Sequence, residues 1–269
     1  MTDVRKDKKP MIQQLRHERM IDFLNAHEIL GVEEAMALYA ASPATIRRDF
    51  NDLAAQRVVQ RVRGGIKLLR APAQPMLPFS LREVRHSQEK EALARRAAGL
   101  LRPGDVIFID GGTTTFHLGG CLPDIPLCLI TNSLRLAAAL EERRADRARW
   151  DIFVTGGFIY PHSGGLLLGP NAQASLARYH AHWAFLSAGG VAEGGVTNTN
   201  ELVVDTERIM IGNAEKTVIL ADHSKIGKYA LCHVCALDRV DILITDEWPQ
   251  STDLLGKLRE AGVEVLLLD

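Results

Sequence analysis

Ser42-Pro43-Ala44-Thr45-Ile46-Arg47-Arg48-Asp49-Phe50-Asn51-Asp52-Leu53 reads as a DNA-recognition helix that carries its own start signal. Ser42 is a favourable N-cap, and Pro43 suits the first helical position, where a missing N–H is harmless. Ile46, Phe50 and Leu53 recur at i, i+4 and i+7, giving one apolar stripe for a small core. Arg47, Arg48 and Asn51 lie off that stripe, with Thr45 at the start of the helix. A shorter helix is expected over Val32–Tyr39, joined by the tight turn Ala40–Ser42, which is helix-turn-helix spacing. Downstream, Arg57-Val58-Val59-Gln60-Arg61-Val62-Arg63-Gly64-Gly65-Ile66-Lys67 alternates β-branched and basic residues around a Gly-Gly turn, which predicts a β-hairpin wing.

Charge points the same way. Residues 43–70 hold seven basic side chains (Arg47, Arg48, Arg57, Arg61, Arg63, Lys67, Arg70) against Asp49 and Asp52. The whole chain is near neutral, with 32 basic and 33 acidic residues, so positive field is concentrated at one end. A local basic surface is the footprint of phosphate contact. A small helical dimerisation module with a solvated arginine face would explain the helix but not the wing.

A length of 269 residues and 46% hydrophobic content fit a two-domain protein with a substantial core. The longest apolar runs, such as Val263–Leu268, are too short to span a bilayer. Met1–Pro10 is basic and polar with no apolar segment behind it, so it reads as a disordered lead-in and not a signal peptide. Four cysteines make no disulfide framework in a chain of this length, and a reducing, cytoplasmic location is expected.

Ala71–Pro78 holds three prolines in eight residues and no charge, which reads as an extended linker. The expected division is a winged helix-turn-helix domain at 1–70, a linker at 71–80 and a larger α/β effector-sensing and oligomerisation domain at 81–269. Glu83–Leu101 reads as one helix. Beyond it, Val106–Asp110, Leu127–Thr131, Ile152–Thr155, Trp183–Ala188, Thr217–Ala221, Ile242–Thr245 and Val263–Leu268 are short apolar runs suited to buried strands. Helical stretches near Thr114–Gly119, Ser133–Arg143, Ala172–Tyr179, Glu201–Asn213 and Thr252–Ala261 separate most of them. Such alternation predicts a mostly parallel sheet covered on both faces by helices, with ligands bound at the carboxyl ends of the strands.

Those ends carry the distinctive residues. The first strand runs into Asp110-Gly111-Gly112-Thr113-Thr114-Thr115, where glycines allow close approach of the backbone and a helix N-terminus favours an anion. Others end in Thr131-Asn132-Ser133, Thr155-Gly156-Gly157, Ser187-Ala188-Gly189-Gly190 and Asp222-His223-Ser224-Lys225. One such turn can arise for structural reasons alone, but a ring of them indicates a binding site.

Taken together, the chain resembles the DeoR family of bacterial transcriptional regulators over nearly its whole length. The resemblance rests on Ser42–Phe50, the wing Arg61-Val62-Arg63-Gly64-Gly65, Glu89-Lys90, Asp110–Thr114, Thr131–Ser133, Thr155–Gly157, Gly189-Gly190 and Asp222–Gly227, in that order. It implies a sensor domain shared with ribose-5-phosphate isomerase and CoA-transferase-like enzymes. Its ligand would be a phosphorylated sugar or related metabolite, relieving repression of a carbohydrate-use operon. The expected partners are double-stranded operator DNA, that effector, and further copies of the chain in a homodimer or homotetramer; no membrane partner, cofactor or metal is expected. DNA contact falls to Ser42, Thr45, Arg47, Arg48, Asn51, Arg61, Arg63 and Lys67. Effector contact falls to Asp110 through Thr115, Thr131, Asn132, Gly156, Gly157, Gly189, Gly190, Asp222 and Lys225.

The chain departs from the family where a Glu-Ala pair and a Lys usually precede Arg-Ala-Met. It has Asn200-Glu201-Leu202-Val203-Val204-Asp205-Thr206-Glu207-Arg208-Ile209-Met210, which puts Glu207 at the Lys position. Ala41-Ser42-Pro43 replaces the usual Gly-Val-Ser and keeps the cap.

Other features read as structural. Cys232-His233-Val234-Cys235 lacks the second Cys pair of a zinc ribbon, so its thiols are expected to be buried. His180 and His182 fit a strand start, and the charge run Glu141–Arg149 a solvated helix end and loop. Asp110, Glu201, Asp205, Asp222 and Lys225 could supply acid–base groups, yet they match no catalytic set, and fold analogy does not establish chemistry. A non-enzymatic sensor is therefore expected.

Overall fold

The computed structural model describes residues 12–27, 29–55, 59–68, 77–144, 149–161, 163–248 and 251–268. The expected lead-in at 1–10, Arg57, Arg70 and the linker residues 71–76 lie outside the described residues. The chain divides into two compact units, Met1–Arg85 and His86–Asp269.

The first unit contains α1 (Gln13–Ala26), β1 (Leu30–Gly31), α2 (Val32–Tyr39), α3 (Pro43–Ala55), β2 (Val59–Val62), β3 (Gly65–Leu68) and α4 (Phe79–Val84). The apolar stripe of α3 is buried as its spacing requires: Ile46, Phe50 and Leu53 join Met20 and Leu24 of α1, Tyr39 of α2, and Val59 and Ile66 of the hairpin in one core. The wing is a β-hairpin in the register Val59↔Leu68 to Val62↔Gly65, and β1 adds a third antiparallel strand beside β3. Glu83–Leu101 does not form one helix. α4 and α5 (Ser87–Ala98) are separated at Arg85–His86, where His86 takes a left-handed conformation (φ 53°) that no helix can continue through. Leu81 of α4 packs into the first unit's core, so that unit extends to Arg85 where 80 was expected to end the linker.

The second unit continues with β4 (Val106–Ile109), α6 (Thr113–Cys121), β5 (Leu127–Thr131), α7 (Leu134–Arg144), β6 (Trp150–Val154), β7 (Phe158–Ile159), β8 (Leu167–Leu168), α8 (Pro170–Leu176), β9 (Ala181–Ser187), β10 (Gly190–Ala192), β11 (Gly195–Asn198), α9 (Glu201–Gly212), β12 (Ala214–Leu220), β13 (Cys232–Cys235), β14 (Ile242–Thr245), α10 (Thr252–Glu260) and β15 (Glu264–Leu267). Seven of these strands form one sheet in the order β15-β14-β12-β9-β4-β5-β6, every neighbouring pair parallel.

Alternation along the strands feeds two cores. Ile107, Ile109, Leu129, Phe185, Val218 and Leu220 face α5, α6 and α7, where Leu93, Leu118, Leu136 and Leu140 meet them. Phe108, Ile130, Ala184, Leu186 and Ile219 face α8, α9 and α10 through Leu176, Val204, Met210 and Leu258. Burial of both faces explains why these strands are near-continuous apolar runs. Two small features were not expected: the β7–β8 hairpin, and an antiparallel sheet β10-β11-β13 whose Val191, Val196 and Val234 extend the second core.

The chain enters the sheet at its centre with β4, winds outward to β6, returns to β9 beside β4, and winds outward the other way to β15. The β4–β9 boundary is thus the topological switch point, where a doubly wound sheet opens a crevice at its carboxyl edge.

Candidate functional site

The candidate DNA-reading surface of the first unit is set by how α3 is held. Ser42 caps it: Thr45 N donates to Ser42 Oγ at 3.2 Å, and the two hydroxyls lie 2.8 Å apart. Arg47, Arg48 and Asn51 are exposed on the face away from the core. Arg61 of the wing donates to Asn51 Oδ1 at 3.2 Å and sits 5.8 Å from the Phe50 ring centroid, tying the wing to the helix. Arg63 is exposed beside the hairpin turn, and Lys67 is half-buried. Behind α3, Arg16 donates from Nε and Nη2 to both oxygens of buried Asp49 at 2.7 and 3.0 Å, and His17 Nε2 lies 3.2 Å from Asp49 Oδ1. Asp49 therefore does not oppose the positive DNA-facing side. Sequence reading missed this clamp, because its halves lie 33 residues apart.

In the second unit, parallel strands bring the predicted residues to one edge. Asp110–Thr115 follow β4, Thr131–Ser133 end β5, Thr155–Gly157 follow β6, Ser187–Gly190 end β9, and Asp222–Lys225 follow β12. Asp110 sits at the switch point and ties its two sides together. Its Oδ1 accepts from Gly112 N at 3.2 Å and from the Thr115 hydroxyl; its Oδ2 accepts from Ser187 N at 3.2 Å and Ser187 Oγ at 2.9 Å. Burial pushes this carboxyl above its usual value, and the four donors pull against that. Gly111 and Gly112 permit the packing: a Cβ on the first would overlap the Leu166 side chain, and one on the second the Ser187 side chain. Gly189 and Gly190 are likewise closed in, by Ala230 and the Lys228 carbonyl.

The helix N-termini along this edge differ. α7 is closed by its own residues: Ser133 N donates to Thr131 Oγ1, Leu136 N to Ser133 Oγ, and Leu134 N to Gly165 O. α9 is capped by Asn200, which accepts from Val203 N. Asp222 accepts from Ser224 N at 3.0 Å, capping the turn His223–Lys225. Burial raises Asp222, but hydrogen bonding from Ser224 and the charges of Lys225, His86 and Lys90 bring it below the usual carboxylate value. α6 has no side-chain cap, and Thr113 and Thr114 in its first turn are buried. Uncapped N–H groups at a helix start are able to receive an anion.

Three buried polar atoms near this edge have no hydrogen-bond partner among the described residues: Asn132 Oδ1, Thr155 Oγ1 and Glu207 Oε2. Leu166 and Leu167 lie against the β5 end, Leu166 bridging Ser133 and Leu167 N donating to Asn132 O at 2.8 Å. Ser187 was placed at this edge by the sequence without a role, Asn198 was not foreseen, and Glu207 was singled out only as a departure. Among the described residues no group of three or more His, Cys, Asp and Glu side chains is placed to hold a metal ion.

A helix-turn-helix unit joined to a doubly wound α/β unit with a polar edge defines a transcriptional regulator with a sensor domain. Residues 16–71 match the DeoR-like helix-turn-helix domain, and residues 85–247 match the DeoR C terminal sensor domain. The chain belongs to the DeoR family. It is 32% identical over 232 residues to the uncharacterized HTH-type transcriptional regulator YulB of Bacillus subtilis, covering 86% of this chain and 88% of that one. It is 30% identical over 256 residues to the HTH-type transcriptional regulator UlaR of Shigella flexneri, covering 95% and 99%. Among solved structures, ribose 5-phosphate isomerase A of Methanocaldococcus jannaschii aligns at TM-score 0.38 and 19% identity, over 52% of this chain and 55% of that one. The translation initiation factor eIF-2B of Pyrococcus horikoshii aligns at TM-score 0.42 and 15% identity, over 84% and 78%.

Proposed function

We propose that this regulator represses a carbohydrate-use operon and is released from its operator when a phosphorylated sugar, or a related metabolite, binds at the carboxyl edge of the sheet. The observation that carries the sensor reading is the uncapped, buried start of α6 at the switch point, flanked by the unpartnered Asn132 Oδ1 and Thr155 Oγ1. A phosphate would take the first-turn N–H groups, and hydroxyls would satisfy the flanking atoms. In this reading Asp110 positions the loop and does no chemistry, since both its oxygens are already engaged by donors. That supports sensing without turnover.

On the DNA side, Thr45, Arg47 and Arg48 enter the major groove, and Arg61, Arg63 and Lys67 meet the backbone or the adjacent minor groove. Operators read by such helices mirror a two-fold, so the working form is a homodimer or homotetramer. An apolar surface suited to a second copy lies at the open edge strand β6 and its hairpin, where Phe153, Val154, Phe158 and Ile159 are exposed. Sedimentation of Phe158→Asp tests that contact: dissociation supports it, and an unchanged assembly places the interface elsewhere.

The sensor reading is tested by Thr114→Val, which keeps the shape of the first turn and removes a hydroxyl. The variant is expected to bind DNA as the wild type does while losing its response to the effector. Loss of DNA binding would instead assign the loop a folding role and remove the reading.

A further inference from the structure

Glu207 is buried, and its carboxyl is asymmetrically held. Asn198 Nδ2 donates to Oε1 at 2.6 Å. That amide cannot turn over, because its own Oδ1 accepts the Thr199 N–H at 2.8 Å. Oε1 is thus the accepting oxygen, and Oε2 has no partner among the described residues. Burial and the nearby charge of Asp110 hold this carboxyl well above the usual range, with only Asn198 opposing. Asp110 is stabilised as an anion by donors from Gly112, Thr115 and Ser187. Of the two acids, Glu207 therefore keeps the proton. With Oε1 accepting, that proton sits on Oε2, a buried O–H donor with no acceptor among the described residues. Buried donors are ordinarily satisfied, so this one calls for a partner beyond the described residues, and a bound ligand can supply it.

We propose that Glu207 Oε2–H is the specificity-determining contact of the sensor site, donating a hydrogen bond to a hydroxyl or carbonyl oxygen of a phosphorylated polyhydroxy metabolite, at the end away from the phosphate. The inference rests on the sensor reading above. It assigns the phosphate to α6 and the recognition of the remaining molecule to α9, on the opposite face of the sheet. Glu207→Gln mimics the neutral acid, keeping an accepting oxygen for Asn198 and a donor on the other side. Glu207→Met keeps the volume and removes both.

The test titrates the full chain with inorganic phosphate and with aldose and ketose phosphates of three to six carbons. The best sugar phosphate is expected to bind wild type and Glu207→Gln alike, and Glu207→Met roughly 10- to 100-fold more weakly, with phosphate affinity unchanged. Infrared difference spectra provide a readout that needs no folded Met variant. Ligand addition should shift a protonated-carboxyl band in the wild type, and that shift should be absent in Glu207→Gln. An unshifted band, or equal affinity in Glu207→Met, overturns the inference and leaves the anion site standing. So does a panel in which no sugar phosphate exceeds phosphate alone. Failure of the wild type to bind either phosphate or any sugar phosphate overturns the sensor reading and this inference with it.

Discussion

Asp110→Asn should unsettle the switch point whichever way the new amide turns. The carboxylate now accepts a backbone N–H on each oxygen, from Gly112 at 3.2 Å and from Ser187 at 3.2 Å. An amide has one accepting oxygen, so one of those N–H groups must face an NH2. The Thr115 and Ser187 hydroxyls can rotate to accept, but a backbone donor cannot. One buried donor left unsatisfied costs about 1–3 kcal/mol, and the remaining bonds lose their charge assistance. Relief of the buried charge offsets part of this, since burial already disfavours the ionised form. A net destabilisation of about 2 kcal/mol is expected. The protein's three tryptophans, Trp150, Trp183 and Trp248, all lie in the second unit, so their fluorescence reports this unit selectively. With a urea slope of about 2–3 kcal/mol per molar, the midpoint should fall by about 0.7–1 M. A midpoint within about 0.2 M of wild type, on the same slope, would refute the role given to the Asp110 network.

Arg47→Ala should weaken operator binding by about 1–3 kcal/mol if the guanidinium is bidentate to guanine, and anisotropy with a labelled duplex reads this directly; unchanged affinity would misplace α3. With about six phosphates neutralised, affinity of the wild type should fall about a thousandfold between about 50 and 200 mM salt, and a flat salt profile would deny the basic surface its role. Because burial raises Glu207 in the folded state, its stabilising contribution is complete below the unfolded value of about 4.3 and is lost as pH rises through the raised folded value. Glu207→Gln should therefore gain on the wild type in thermal melts as pH rises from there, and parallel curves would contradict the assignment. Burial holds the Cys235 thiol up at about 11, so alkylation of native protein near pH 8 should spare Cys235 and reach it only on unfolding. Rapid native labelling of Cys235 would refute its burial.

The parts of this molecule readable in one dimension are those governed by local period. The parallel strands announce themselves as short apolar runs, continuous where inner strands are buried on both faces and interrupted where an edge strand meets solvent, as at Asp151 of β6 and Glu264 of β15. The recognition helix is equally legible, since its cap, its proline and its stripe lie within twelve residues, Ser42–Leu53. Its neighbour α1 went unread, although Met20, Ile21 and Leu24 bury it in the core, and its clamp of Arg16 on Asp49 is a long-range pairing that leaves no local signal. The break at His86 was hidden because a single left-handed residue leaves no mark on a charge pattern that suits helix on both sides.

The site shows the same division. Strand ends and glycines located the edge, but not the use of each residue there. Asp110 and Thr115 read as ligand groups, yet they bond to each other and to Gly112, and Asp110 to Ser187 across 77 residues. Asp222 reads as a ligand acid and serves as a cap. Glu207 carried only the signal of an unexpected residue; its meaning depends on Asn198 and Asp110, which other elements bring to it.

In the proposed function, ligand at the sheet edge and operator at α3 bind in competition through the chain. The most direct test of that competition is the affinity of the full chain for a duplex selected by repeated binding, with and without a saturating sugar phosphate that binds the second unit. Saturation should weaken DNA binding at least about fivefold, and DNA should weaken the ligand by the same factor. Unchanged DNA affinity at saturating ligand would contradict it.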